Sequence, residues 1–451
     1  MIMMNAISPL DGRYQEEMAA LAPYFSEVAL FKYRLRVEVK YLLLLSKLGI
    51  TQKLSSPHKD FLEKLTNNFN HKAFTEVKNY EKETKHDVKA LEYFIKNKLN
   101  KTSLSDITAF IHFGLTSEDT NNLAFSLSIQ DFLKEVFIPQ LFQLITILQK
   151  NALENKNLVM LGRTHGQPAV PTTLGKELAV FAYRLQKITR VLKDYQLTGK
   201  LNGAVGNYNA LVFTYPHVNW LKESKNFVQS LGLKFTPLTT QIESHDKLAE
   251  LFQIIFRLNT VYISLCQDLW RYISDGYFIL QKVEKEVGSS TMPQKVNPIN
   301  FENAEGNLEI ANSLFQLFIE KLPVSRLQRD LSSSTIRRNI GVAFGHSLLA
   351  YQSLQKGLAK ISPNYEKIAG EVDNDWSILS EAVQLYLKTK GHQNVYEIVK
   401  KEFRGKKIKE KEYLEIINKL PIAKTDQEFL ITLTPQKYVG LASYLVEKMK
   451  G

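Results

Sequence analysis

Residues 283–303 read VEKEVGSSTMPQKVNPINFEN, a stretch whose first half has no helical or strand period, set between two strongly helical segments. Gly288-Ser289-Ser290-Thr291 is small and polar, and Pro293 and Pro298 fence off Gln294-Lys295-Val296-Asn297. A long irregular loop in a helical region is a candidate for function. Its hinge glycine, paired hydroxyls, lysine and asparagine suit a lid that carries a base together with groups that hold an anion. The same composition also fits a solvated Ser/Pro connector.

The flanks on either side predict the fold. Leu174, Leu178, Phe181, Leu185, Ile188 and Leu192 recur at steps of three and four, as do Ile254, Leu258, Val261, Leu265, Leu269 and Ile273. Leu308, Ala311, Phe315, Phe318 and Leu322 make a third stripe. Such spacing puts one apolar face on each of several long helices and predicts an all-α bundle. Shorter helical patterns precede it (Val28 to Leu48, Asp60 to Phe69, Asp87 to Lys98) and shorter ones follow Ile361. We therefore expect three helical domains: residues 1–108, a central bundle at 109–358 that carries the loop, and 359–451. Pro139 predicts a kink within 124–150. Thr84 or Asp87 can cap the third N-terminal helix, and Thr172-Thr173 can start the helix after them. The best strand signals are Leu211-Val212-Phe213 and Leu233-Lys234-Phe235, both short.

Composition narrows the classes. In 451 residues, 44% are hydrophobic and 23% charged, the balance of an ordinary globular protein. Met1-Ile2-Met3-Met4 lacks the charged start and apolar core of a signal peptide, and no run of about 18 apolar residues occurs, so we expect a cytoplasmic protein and no membrane partner. The single cysteine, Cys266, excludes an internal disulfide and a cysteine-built metal site. The formal charge of +12 fits either nucleic acid or a small anionic substrate. The densest basic run, Lys406 to Lys411, is interrupted by Ile408 and Glu410, with no nucleic-acid motif beside it. We expect small anionic substrates and no nucleic acid.

Polar inserts punctuate the helices. Residues 113–119, 161–168 and 200–207 place hydroxyls, amides and single histidines at helix ends, where backbone N–H groups attract carboxylate and phosphate. His165 lies between Gly162 and Gly166 with Arg163 close by, which suits a general acid or base, although a lone histidine is more often structural. No histidine or carboxylate pairing has metal-ligand spacing, and no phosphate loop, GxSxG elbow or dinucleotide fingerprint is present, so neither metal nor cofactor is expected.

Gly288 to Pro298 closely resembles the signature loop of the fumarase/aspartase superfamily, GSSxMPxKxNP. Ser8-Pro9-Leu10-Asp11-Gly12-Arg13-Tyr14, Lys85-His86-Asp87-Val88, Thr116-Ser117-Glu118-Asp119, Arg163-Thr164-His165-Gly166-Gln167-Pro168 and Gln328-Arg329-Asp330-Leu331 resemble the adenylosuccinate lyase family, in its longer bacterial form. The likeness runs from about Ser8 to the C-terminus. Gln294 stands where this form usually has histidine, and Lys85 where asparagine is common. The resemblance implies β-elimination of fumarate from a succinylated nitrogen, with Ser289 as base, His165 as acid and His86 as a second histidine near the substrate. Lys295, Asn297, Thr116, Ser117 and Gln241 would hold carboxylates or the base. Arg13, Tyr14, Arg329, Ser334 and Arg338 would hold the nucleotide, mainly its phosphate. Lys85, Asp87, Ser290, Val296, Asn303 and Thr335 complete the expected substrate contacts. The superfamily's four-subunit bundle implies a homotetramer whose sites are shared between chains.

Overall fold

The computed structural model describes residues 5–281, 291–292 and 294–449. Helices dominate. In chain order the principal ones are α1 (Glu27–Lys47), α2 (Ser56–Asn67), α3 (His71–Thr84), α4 (Asp87–Leu99), α5 (Ser117–Phe132), α6 (Ile138–Glu154), α7 (Leu174–Lys193), α8 (Asn209–Thr214), α9 (Trp220–Ser230), α10 (Asp246–Ser274), α11 (Ile299–Lys321), α12 (Ser332–Arg337), α13 (Ile340–Leu358) and α14 (Tyr365–Asp373). Shorter helices between Ser380 and Lys448 complete the chain. Among the described residues the strands form three two-stranded sheets. β1 (Val159–Thr164) and β2 (Gln167–Thr173) are antiparallel, β3 (Thr198–Gly199) and β4 (Lys234–Phe235) parallel, and β5 (Phe278–Leu280) and β6 (Ile361–Pro363) antiparallel. The fold is all-α, as the helical spacing predicts.

Contacts gather into two compact units. The first comprises residues 1–140, 189–260 and 306–350; the second comprises 141–188, 261–305 and 351–451. In the first, Phe31, Leu35, Leu42, Leu91, Phe94 and Ile95 build a core among α1, α2, α3 and α4. Phe132, Phe137, Phe252, Phe315 and Phe344 pack ring on ring nearby. Asn259 Nδ2 donates to Asn312 Oδ1 and Ser347 Oγ, each at 3.0 Å, a buried polar tie across α10, α11 and α13. In the second unit Leu161, Val372, Leu379, Val383, Tyr413 and Ile417 make a separate core.

The three apolar stripes are buried in the single chain, with Leu174, Leu185, Leu258, Leu265, Leu308 and Phe318 fully inaccessible. The same burial accounts for α10, which by length and composition alone could cross a membrane. Near Pro139 the chain passes through a π-helical turn, Leu133–Phe137, where Ile138 N–H bonds Leu133 O. The wider turn lets the helix proceed past a residue that has no N–H to donate.

Three local expectations need correction. Leu211-Val212-Phe213 lies in α8, not in a strand: only Leu211 is buried, while Val212 and Phe213 stand in solvent. Residues 161–168, read as a polar insert, lie within the β1–β2 hairpin of residues 159–173. Pro168 and Pro171 mask the strand signal, yet a two-stranded sheet has only edges and tolerates them. At α4 the cap is neither Thr84 nor Asp87. His86 Nδ1 accepts from Lys89 N–H at 3.2 Å, while Asp87 turns to Arg34. Lys234-Phe235 is a strand as expected, and Thr173 Oγ1 caps α7 by accepting from Lys176 N–H at 3.1 Å.

Candidate active site

The first unit brings Asp87, Gln241 and Arg329 toward Thr116 and Ser117 at the N-terminal turns of α5. Asp119, in its first turn, accepts from Thr116 N–H (2.9 Å), Asn202 N–H (3.1 Å) and Gly203 N–H (3.1 Å). Lys200 Nζ completes the set at 2.9 Å, and both side chains of this ion pair are fully buried. A carboxylate held by three N–H groups and an ammonium stitches the 200–207 insert to the turn that presents Thr116 and Ser117. Glu118 points elsewhere, into a bidentate pair with Arg337 at 2.7 and 3.0 Å. Burial alone would push its carboxyl up, but the Arg337 guanidinium outweighs that and holds it below the usual carboxylate range.

Arg329 Nη2 lies 3.6 Å from the same Glu118, and its Nη1 donates to Gln241 Oε1 at 3.2 Å. Gln241 Nε2 in turn donates to Ala204 O at 3.0 Å. Two expected site residues, Arg329 and Gln241, are thus in direct contact and fixed from both sides.

Asp87 is set the same way. Arg34, almost wholly buried, donates to Asp87 Oδ2 and to Asn121 Oδ1, each at 2.8 Å. Burial acts to raise the Asp87 carboxyl, and Arg34 with the Val88 N–H more than offsets it, so its pKa is lowered. Arg338 approaches Asp87 only to 4.0 Å and leaves 63% of its side chain exposed. Arg34, Asp87, Arg337 and Arg338 line a cavity of about 440 Å³, walled by Phe31 and Phe125. Asp11, Gln15 and Arg338 line a second cavity of about 470 Å³ beside the segment that bears Arg13 and Tyr14. Arg13 lies over the Tyr14 ring at 5.7 Å. Ser334 is half-buried and Thr335 exposed, both on α12. His86 is exposed, and Lys85 closes α3 with φ 53, a left-handed conformation that asparagine accepts more readily than lysine.

The second unit carries the other group. His165 and Gly166 are the two turn residues of the β1–β2 hairpin, with φ of 54 and 73, and His165 is exposed at its tip. Lys295 N–H bonds Met292 O at 3.0 Å, and its side chain is exposed. Val296, Asn297 and Asn303 are half-buried. Ser289 and Ser290 lie outside the described residues. Among the described residues no cluster of three His, Cys, Asp or Glu side chains could hold a metal ion.

The sequence reading gave no role to Arg34, Lys200 or Arg337, and left Glu118 and Asp119 as parts of a motif. Only their partners explain them, and Glu118 and Arg337 lie 219 positions apart. Chemically the first unit offers buried carboxylates already neutralised, plus the largely exposed guanidinium of Arg338.

Comparison with known proteins agrees in kind. The Lyase family model matches residues 12–310, and the adenylosuccinate lyase C-terminal model matches 325–439. Adenylosuccinate lyase of Legionella pneumophila (strain Corby) is 46% identical over 448 residues, 98% of each chain. That of Escherichia coli (strain K12) is 42% identical over 451 residues, covering 99% of each. Among solved structures, fumarate lyase from Mesorhizobium sp. BNC1 superposes with a TM-score of 0.76 at 17% identity, covering 96% of this chain and 97% of the other. The 3-carboxy-cis,cis-muconate lactonizing enzyme from Pseudomonas putida gives 0.73 at 18%, covering 96% of each. At that identity the likeness is one of fold.

Proposed function

This chain belongs to the adenylosuccinate lyase family and is a fumarate-releasing C–N lyase of purine biosynthesis; we propose that it cleaves adenylosuccinate to AMP and the succinyl-carboxamide ribotide to the aminoimidazole carboxamide ribotide. The observation that carries this reading is identity of 42–46% along 98–99% of the chain to adenylosuccinate lyases. In the proposed mechanism Ser289 removes the carbon-bound proton of the succinyl group. The C–N bond then breaks, its electron pair goes to the nitrogen, and His165 protonates that nitrogen as fumarate leaves. Lys295, Asn297, Thr116, Ser117 and Gln241 face the carboxylates, whose charge grows in the transition state. Arg338 takes the phosphate, because its guanidinium is the more exposed; Arg329, already engaged by Glu118 and Gln241, sets Gln241 and meets the nucleotide alongside Arg13, Tyr14 and Ser334. We further propose a cytoplasmic homotetramer with sites shared between chains.

An absorbance assay with adenylosuccinate tests the reaction, with cleavage expected and argininosuccinate left intact. Ser289→Ala and His165→Ala should each lower kcat by about a thousandfold with little change in KM. Ser290→Ala is measured beside them: if it is the dead variant and Ser289→Ala turns over normally, the base is the second serine. Arg338→Ala should raise KM by about tenfold, as expected for loss of a charge-assisted phosphate contact.

A further inference from the structure

The β1–β2 hairpin that carries His165 is poorly secured by its own ladder. An isolated two-stranded hairpin is marginal in water. The register slips between Leu161 and Arg163, and the turn residue His165 holds a left-handed backbone that is strained for a residue with a Cβ. What orients the tip must therefore come from outside the hairpin. Two anchors are present. Leu161 is buried in the core with Val372 of α14. At the adjacent position, Glu371 Oε2 accepts from Arg163 Nη2 at 2.9 Å, in the strand that leads into His165.

Glu371 is itself held. The Tyr277 hydroxyl donates to the same Oε2, and Lys367 Nζ approaches Oε1 at 2.9 Å. Tyr277 is 1% exposed, and its carbonyl accepts from Asn364 N–H at 2.8 Å just before β5 pairs with β6. A rigid element thus aims the tyrosine, the tyrosine aims the carboxylate, and the carboxylate aims Arg163.

We propose that Glu371 is a positioning residue for His165, acting through Arg163 with Tyr277 as its fixed support. The proposal rests on the reading of His165 as the proton donor given above. A group that acts only through His165 has a signature that a merely stabilising ion pair lacks: its removal should matter only while His165 is there.

The test is a double-mutant cycle on the full-length enzyme with adenylosuccinate. Glu371→Gln should lower kcat by about tenfold with KM within about twofold. In a His165→Ala background the same substitution should leave the residual kcat unchanged. Lys367→Met, which removes only the contact to the other oxygen, should behave like the parent. Tyr277→Phe removes a hydroxyl without a charge and should show the Glu371→Gln pattern more weakly, which keeps the question open to test if Glu371→Gln folds poorly. The proposal is overturned if Glu371→Gln and Tyr277→Phe keep the parent kcat while His165→Ala is inactive. It is overturned equally if the tenfold loss persists without His165, the mark of a structural role. If His165→Ala itself turns over normally, the reading of the acid falls and the proposal falls with it.

Discussion

Asp119 and Lys200 are both inaccessible to water and lie 2.9 Å apart, so each depends on the other for its solvation. Lys200→Met should lower stability by about 3–5 kcal/mol, because it strands a buried carboxylate. Asp119→Asn/Lys200→Met should recover part of that by removing the charge, since the amide oxygen placed at the Oδ2 position still accepts from Thr116 and Gly203 N–H. Urea midpoints of the parent, the two single variants and the double variant check both points, and additivity of the two single effects would show that the groups do not interact. His112 gives a pH prediction of the opposite chemical kind. Burial pulls its imidazole down, but Glu38 Oε1 at 2.7 Å more than offsets this, and the pKa is raised above 6.5. A raised pKa means that the folded state binds the proton more tightly, so the stabilisation is full below pH 6.5 and fades as pH rises through the folded value. The stability gap between the parent and His112→Gln should therefore narrow from pH 6 to pH 9; a gap that widens would refute the pair's contribution. His346 works against it in sign, since burial lowers its pKa and acid destabilises it. Glu118, Asp87 and Glu243 are all lowered, so their stabilisation is lost only as pH falls below the carboxylate range. None of these pairings could be read from the sequence, where Glu38 and His112 are unremarkable members of two separate segments. That Arg337, next to Arg338 in the chain, is spent on Glu118 could not be read either.

Among the elements, the β1–β2 hairpin is where the role proposed for His165 would oppose local stability. Its two turn residues both have positive φ, the signature of a type I′ turn, where Asn-Gly is preferred and His-Gly is not. His165→Asn should therefore leave the melting temperature unchanged or slightly raised while lowering kcat by about a thousandfold. A variant that loses both would mean that the imidazole stabilises the hairpin. Gly162 could not be replaced as easily, because a Cβ there would meet Val170 O at 2.6 Å. This hairpin is also the element the sequence concealed. Its strands are short, two prolines lie in β2, and a bulge breaks the alternation on which a strand reading depends. The long helices were legible for the converse reason: a stripe repeated over several turns averages out any single exception. Lys234-Phe235 was found and α8 was missed because three successive bulky residues, Leu211 to Phe213, carry no period at all.

On the scale of the whole molecule, the apolar stripes that announced the bundle are already buried within one chain, so they cannot also be what holds four chains together. The case for assembly moves to the opposite faces. Val180, Tyr183 and Val191 stand 40%, 48% and 48% exposed on α7, and Ile299, Ile310 and Leu317 stand 56%, 48% and 44% exposed on α11. On α11 these three fall within one narrow sector of the helix, and Gly306, whose added Cβ would meet nothing within 4 Å, falls beside them. A mid-helix glycine costs about 1 kcal/mol relative to alanine, a sacrifice that close approach by another helix would offset. We predict a particle of four times 51.7 kDa by light scattering, and its dissociation by Leu317→Glu without loss of helical content. The same arrangement predicts complementation. Ser289→Ala and His165→Ala chains, each inactive alone, should regain part of the activity when mixed and allowed to exchange subunits, because a site built from different chains can receive one intact copy of each residue. Mixed chains that exchange, as followed by mass, yet stay inactive would mean that each chain supplies its own serine and histidine to one site. Activity in a monomeric fraction would remove the shared site altogether.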